Sequence, residues 1–272
     1  MEKIDLHHHL LEEDGYADHL VAEMDKLGIQ KTCISGLGIG KGKTDNTDYS
    51  FFNLGKLSPD NDDVLAAVKK YPGRLVGMAS VKPGEDSPEI IGKFRDLGFL
   101  GLKITRTKKA YNDDCCMPLY AEADRLNMPI LFHTGMVLVT PFDAEDDVCS
   151  ERMRPIKLDR VARRFPNLKI IIAHMGYPWF NEAVVMIRYH KNVYADLSGA
   201  SMGWRSRKSP DEYLRDMFWP GAFDKLVFGT DTHYSEMGEA MYDQQKILKL
   251  LNMGGETMER FFHKNAEYLL NL

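Results

Sequence analysis

His7 and His9 stand two residues apart, so in an extended chain their rings leave one face while that of His8 leaves the other. Imidazole nitrogens and carboxylate oxygens bind divalent metal ions, and three or four of them around an open position make a catalytic site. Three more donors of this type follow short apolar runs: His133 after Pro129 to Phe132, His174 after Lys169 to Ala173, and Asp231 two residues beyond Gly229. A lone histidine at such a place is usually a hydrogen-bonded structural residue. Five donors at equivalent places instead suggest one metal-binding mouth, where a divalent ion would lower the pKa of water toward ~7. His19, His190 and His263 fall inside helical patterns and read as solvated or core residues.

The elements that must position these donors alternate along the chain. Apolar runs at Lys3 to His7, Thr32 to Ser35, Leu75 to Ser80, Leu100 to Ile104, Pro129 to His133, Lys169 to His174, Val193 to Leu197 and Leu226 to Gly229 predict eight strands. Several are apolar on both faces, as in Ile170 to Ala173, which suits strands covered on both sides. Between them, Leu158, Val161, Ala162 and Phe165 recur at helical spacing, as do Leu119, Ala123 and Leu126. Gly28 and Asn127 stand where helices end in a left-handed turn. This alternation predicts an α/β chain, a single-domain (β/α)8 TIM barrel over residues 1–272. Two further helical patterns, Met241 to Leu251 and Glu256 to Leu270, follow the last strand, and the second is expected as an additional C-terminal helix on the barrel exterior. Catalytic groups in such barrels sit at the C-terminal ends of the strands, where all the donors fall. The long irregular stretches Gly36 to Pro59, Thr134 to Glu151 and Ser198 to Ser209 are the expected walls of a substrate site.

Composition narrows the partners. The chain is 44 % hydrophobic and 28 % charged, ordinary values for a globular protein, and its net charge of −5 lacks the basic surface that nucleic acid or anionic lipid demands. No run approaches the ~18 apolar residues of a membrane span, and Met1 to His9 carry no export signal. Cys33, Cys115, Cys116 and Cys149 are too few and too irregular for a disulfide framework, so reduced thiols and a cytoplasmic location are expected. A small-molecule substrate is the expected partner, with no nucleic acid and no membrane, and with room left for a homo-oligomer.

Ile4-Asp5-Leu6-His7-His8-His9, Pro129 through Gly135, Ile170 through Gly176 and Val227 through Asp231 together resemble the amidohydrolase superfamily. Arg154 through Ala162 with Phe165-Pro166 adds to the likeness, which covers nearly the whole chain. The branch it resembles is the amidohydrolase-related group of metal-dependent hydrolases and non-oxidative decarboxylases. The resemblance implies that His7, His9, His133 and Asp231 hold one divalent ion, Zn2+ by expectation and Mn2+ as the alternative, and that His174 and Asp231 are catalytic. Asp231 would orient a water nucleophile and shuttle its proton, while His174 would donate a hydrogen bond to the substrate carbonyl oxygen.

Two positions depart from that pattern. Family members often carry proline two residues after the strand-8 aspartate, where this chain has His233, an imidazole that could meet substrate. Lys103 ends strand 4, where another branch carboxylates a lysine to bridge two metals; here it equally suits a substrate anion or a plain salt bridge. Arg106 and Arg152 are candidates for gripping a substrate carboxylate, since guanidinium matches it bidentately, whereas Arg205 and Arg207 read as surface charges. Trp204 and Tyr111 either wall an aromatic pocket or pack at the barrel rim. The expected function is metal-dependent hydrolysis of a small ester, lactone or amide through activated water. The alternatives are non-oxidative decarboxylation of a small carboxylated or aromatic substrate, and a metal-binding protein without catalysis.

Overall fold

Parallel pairing joins β1 (Ile4–His9), β2 (Lys31–Ser35), β3 (Leu75–Ser80), β4 (Gly101–Ile104), β5 (Ile130–Phe132), β6 (Ile170–Ile172), β7 (Val193–Asp196) and β8 (Leu226–Val227) in sequence order. The ring closes through main-chain bonds from Leu6 N to Phe228 O and from Thr230 N and Asp231 N to His7 O. A computed structural model of the chain describes residues 1–37, 59–140, 142–199, 214 and 216–272. Most of the expected walls Gly36 to Pro59 and Ser198 to Ser209, with Trp204, Arg205 and Arg207, lie outside the described residues.

Between the strands lie α1 (Tyr16–Leu27), α2 (Asn61–Lys70), α3 (Ile90–Asp96), α4 (Met117–Arg125), α5 (Asp159–Arg164) and α6 (Phe180–Tyr189). After β8 come α7 (Met237–Leu250), α8 (Gly255–Glu259) and α9 (Asn265–Leu270), the last two joined by a π turn over Arg260–Lys264. Local chemistry sets their ends. Asp60 caps α2 by accepting from Asp62 N and Asp63 N while Asp63 reaches back to Asp60 N. Gly28 ends α1 at φ 65°, a left-handed value that costs glycine nothing.

Alternation along each strand divides the apolar residues into two cores. Ile34, Leu75, Leu102, Ile130, Phe132, Ile170, Ile172 and Phe228 face outward and pack with the helices. Ile4, Leu6, Cys33, Val76, Met78, Leu131, Ile171 and Val227 fill the barrel interior. Ala266, Leu269 and Leu270 of α9 belong to that inner core. The C-terminal helix therefore closes the floor of the barrel instead of lying on its outer wall as expected. Lys169, just before β6, fastens it by donating to Tyr268 O and Asn271 Oδ1, and Asn127, just before β5, donates to Asn271 Oδ1. The reason is volume: a barrel interior is packed by side chains, and its lower opening needs apolar cover.

Candidate metal centre at the barrel mouth

His7 and His9 reach the mouth through an irregularity in β1. Ile4 and Leu6 already face inward, so strict alternation would turn His8 inward next. The pairing with β2 slips between Asp5 and His8, where one extra residue enters β1, and this bulge lets Leu6 and His7 both face the interior. His8 is thereby sent outside, where Nδ1 lies 2.8 Å from Thr230 Oγ1 and Nε2 lies 2.9 Å from Tyr16 Oη. Asp5, on the same outer side, accepts from His7 N, Thr230 N and Thr230 Oγ1. Burial nevertheless pushes its carboxyl up to about 7. Gly229 is required here because a Cβ would stand 2.9 Å from that of His7.

His174 reaches the mouth by a different device. Ala173 before it faces the inner core, so the strand would send His174 outward. The backbone at His174 and Met175 instead turns left-handed, at φ 57° and 47°. Rotation about N–Cα from the roughly −120° of a parallel strand swings the imidazole to the opposite side. Such backbone is strained for a non-glycine residue and persists where neighbours hold it. Here Asp196 Oδ1 accepts from His174 N at 2.7 Å, and His174 O accepts from Tyr177 N at 3.1 Å. Asp231 is also left-handed, at φ 44°, with its N–H held 2.7 Å from His7 O.

The donors converge on Asp231. Its Oδ1 lies 3.2 Å from His9 Nε2 and 3.6 Å from His7 Nε2, and its Oδ2 lies 3.5 Å from His174 Nε2. Among the described residues, one ligand atom each from His7, His174 and Asp231 lie within 4.8 Å of one another. His133 packs beside them, its ring centroid 5.1 Å from that of His174, and its buried Nε2 has no hydrogen-bond partner. A buried polar atom left unpaired costs about 1–3 kcal/mol, so this nitrogen asks for a partner that the protein does not supply. The orphaned donor and the histidine–carboxylate chemistry around it fit a divalent ion.

Burial sets the charge states. It lowers His7 to about 4, helped by the Lys103 ammonium, and it lowers His9 and takes His133 well below the usual imidazole range. Burial alone would raise Asp231, but His7, His174 and His9 hold it well below the usual carboxylate range. The site therefore offers bare nitrogens and an ionised carboxylate at neutral pH, which is what metal ligation requires.

Lys103 turns inward from β4 and is fully buried, with Nζ 2.6 Å from His7 Nε2. Burial lowers it to about 8. The ammonium thus uses the lone pair that a metal ion would need. Lys103 also lines a cavity of about 210 Å3 with Thr105, with Ser80 to Lys82 at the end of β3, and with Asn61 and the carboxylates of Asp60 and Asp86.

The remaining expected substrate residues have other partners. Arg106 donates to Leu138 O, Thr140 Oγ1 and Asp143 Oδ1, all in the loop after β5, so its guanidinium ties that loop down. Arg152 donates to Asp147 O at 2.5 Å and Asp147 Oδ2 at 3.0 Å within its own loop. His233 has both ring nitrogens engaged, Nε2 3.0 Å from Glu13 Oε2 and Nδ1 2.8 Å from Ser235 Oγ. Tyr111 is rim packing: its ring meets that of Phe132 edge to face and its hydroxyl donates to His133 O at 2.6 Å. The four cysteines are free.

Two residues of this site were absent from the sequence reading. Asp196, at the end of β7, is fully buried and places Oδ2 2.8 Å from His7 Nδ1. Ser198 places Oγ 3.0 Å from both His7 Nδ1 and His174 Nδ1, and donates to Asp196 Oδ1 at 2.6 Å. The available signal was positional: Asp196 is a carboxylate ending a strand that reads Val193-Tyr194-Ala195-Asp196, in register with the other donors.

The amidohydrolase family profile matches residues 4–272. The chain belongs to the amidohydrolase family. A curated relative, protein FluG of Emericella nidulans, is 25 % identical over 114 residues, which are 42 % of this chain and only 12 % of FluG. Among solved structures, a probable 2-pyrone-4,6-dicarboxylic acid hydrolase of Acinetobacter baumannii, crystallised with citric acid, superposes with TM-score 0.69 at 13 % identity over 100 % of both chains. The 5-carboxyvanillate decarboxylase of Novosphingobium aromaticivorans, complexed with manganese, superposes with TM-score 0.65 at 17 % identity over 99 % of this chain and 96 % of its own. At these identities the likeness establishes the shared TIM-barrel fold. No helix among the described residues is long and apolar enough to cross a membrane.

Proposed function

We propose that this amidohydrolase-family chain is a metal-dependent hydrolase of a small ester, lactone or amide. The observation that carries the reading is the convergence of His7, His174 and Asp231 within 4.8 Å, beside His9 and the unpartnered Nε2 of His133. His7, His9, His133 and Asp231 are the residues to hold one divalent ion, Zn2+ or Mn2+, and His174, beside Asp231, is the group that handles protons. A bound ion of this kind supplies a Lewis acid that polarises a substrate oxygen and acidifies water.

The chain's own residues do the rest. Asp231 is ionised and takes the proton released as water adds to the substrate carbonyl. His174 Nε2, 3.5 Å from Asp231 Oδ2, accepts that proton and passes it to the departing oxygen or nitrogen as its bond to carbonyl carbon breaks. Lys103 also lines the adjoining cavity, where a buried ammonium favours a substrate that carries a carboxylate. The partner proposed is accordingly a small anionic molecule.

Decarboxylation is the second reading, favoured by the buried Lys103 ammonium beside the ligands and by the manganese-bound decarboxylase among the structural neighbours. Incubation of Zn2+- or Mn2+-loaded protein with carboxylated lactones and hydroxybenzoates in 18O-water separates the two. One 18O per product, without loss of carbon dioxide, is expected. Release of carbon dioxide without 18O incorporation assigns the chain to the lyases, and no turnover of either panel by fully loaded protein removes both readings.

A further inference from the structure

Asp196 and Ser198 dictate where the protons sit on two imidazoles. The Asp196 carboxylate can only accept hydrogen bonds, and it sits in a ring of donors. Its Oδ2 faces His7 Nδ1 at 2.8 Å, and its Oδ1 faces His174 N at 2.7 Å, Ser198 N at 3.0 Å and Ser198 Oγ at 2.6 Å. Burial alone would raise this carboxyl, but the charge and hydrogen bond of His7, followed by His174 and Ser198, hold it well below the usual carboxylate range. A hydroxyl has one proton, and the short contact to Asp196 takes that of Ser198. Ser198 Oγ then has only lone pairs left for His174 Nδ1, 3.0 Å away, so the proton in that bond must be on the ring. The same logic puts the His7 proton on Nδ1, and Lys103 agrees independently: an ammonium 2.6 Å from His7 Nε2 needs a bare nitrogen there.

We propose that Asp196 and Ser198 are positioning residues that lock His7 and His174 as Nδ1–H tautomers, aiming two bare Nε2 atoms at the space beside Asp231. The consequence revises the expected role of His174. A neutral ring protonated at Nδ1 has no Nε2 proton to donate to a carbonyl oxygen, so His174 enters the reaction as a proton acceptor and becomes a donor only after it has taken a proton. One carboxylate thus serves a metal ligand directly, a catalytic imidazole through the Ser198 hydroxyl, and the strained His174 backbone through its N–H. This inference rests on the metal-site reading above for His7 as a ligand. The tautomers themselves are independent of any substrate.

The test is long-range 1H–15N correlation on histidine-labelled full-length protein, chelator-treated and Zn2+-loaded, with the His174 signals identified by their loss in His174→Asn. Both rings are expected as Nδ1–H. Ser198→Ala deletes one oxygen atom and should release His174 toward Nε2–H in the chelator-treated protein, while Zn2+ affinity, measured by competition with a chromophoric chelator, stays within about threefold. Ser198→Thr, which keeps the hydroxyl, should restore the wild-type pattern. In Asp196→Asn the single amide oxygen goes to the three donors around Oδ1, and the amide NH2 faces His7 Nδ1. His7 is then driven to Nε2–H, and Zn2+ affinity should fall by about 10- to 100-fold, as when the outer partner of a metal-bound histidine is lost. An Nε2–H tautomer of His174 in the wild type, or an unchanged His174 pattern in Ser198→Ala, overturns the proposal. Should Asp196→Asn fail to fold, the Ser198→Ala spectrum decides alone. A wild type that binds no Zn2+ but shows both Nδ1–H rings refutes the metal-site reading and leaves the positioning role standing.

Discussion

The two ends of this barrel are built from opposite materials. At the floor, Ile4, Val76, Ile171, Leu269 and Leu270 pack into an apolar inner core, and burial there pushes the Cys33 thiol far up. One strand-length higher, the same interior holds His7, His9, Lys103, Asp196 and Asp231, all largely withdrawn from solvent. Burying apolar surface stabilises the fold, at roughly 25 cal/mol per Å2, whereas burying charged groups costs free energy unless each finds a partner. The floor therefore supplies stability, and the mouth uses part of it to hold a reactive arrangement.

The largest expected effect tests the mouth. Asp231→Asn keeps a side chain that tolerates φ 44°, so the backbone is retained while the ionised ligand is lost. Turnover should fall by about 10³-fold or more, near 4 kcal/mol in the barrier, with weakened metal binding and an almost unchanged melting temperature. A collapse in melting temperature would mean that the mouth, and not the floor, carries the fold. Leu269→Ala makes the converse test. It opens a void in the inner core and should cost about 2–4 kcal/mol in urea unfolding, with Zn2+ affinity unchanged. Loss of Zn2+ binding in that variant would show that the two ends are coupled.

Acid should strike the buried histidines in and behind the mouth first. Burial holds His7 at about 4 and His8 at about 3, below the ~6.5 of an unfolded histidine. Between these values the unfolded chain binds more protons than the folded one. Their contribution to stability is therefore complete above pH 6.5 and is lost as pH falls, down to about 4 for His7 and about 3 for His8. Asp5, raised to about 7, acts in the opposite sense, but the buried histidines, with His9 and His133 also lowered, outnumber it. Chelator-treated protein should lose at least about 1.4 kcal/mol per pH unit between pH 6 and 5, one net proton's worth, read from the urea midpoint. A flat midpoint over that range would show that these rings are already charged when folded. The smallest effect is expected outside both ends: Arg152→Ala removes a loop pairing with exposed Asp147 and should change stability by less than about 1 kcal/mol and leave KM unaltered. A large rise in KM would return Arg152 to the substrate site.

Much of the fold was legible because its signals are local. Runs such as Ile170 to Ile172 and the spacing of Val161 and Ala162 announce strand and helix within a few residues. The positions of His133 and Asp231 at strand ends could likewise be read along the chain. The partners of Arg106 and His233 could not: Asp143 lies 37 residues from the first and Glu13 lies 220 from the second, and no local pattern marks such a pair.

By itself, then, the sequence determined eight strands, their order, and the ends from which metal-type donors project, since period-two alternation and chain order are properties of neighbouring residues. Tertiary structure alone decided which of those donors meet. The bulge in β1 turns His7 inward beside Leu6, the left-handed turn swings His174 across from Ala173, and Asp196, 189 residues from His7, receives its ring N–H. Each depends on a hydrogen bond or a packing contact between segments remote in the chain, and those form only when the barrel closes.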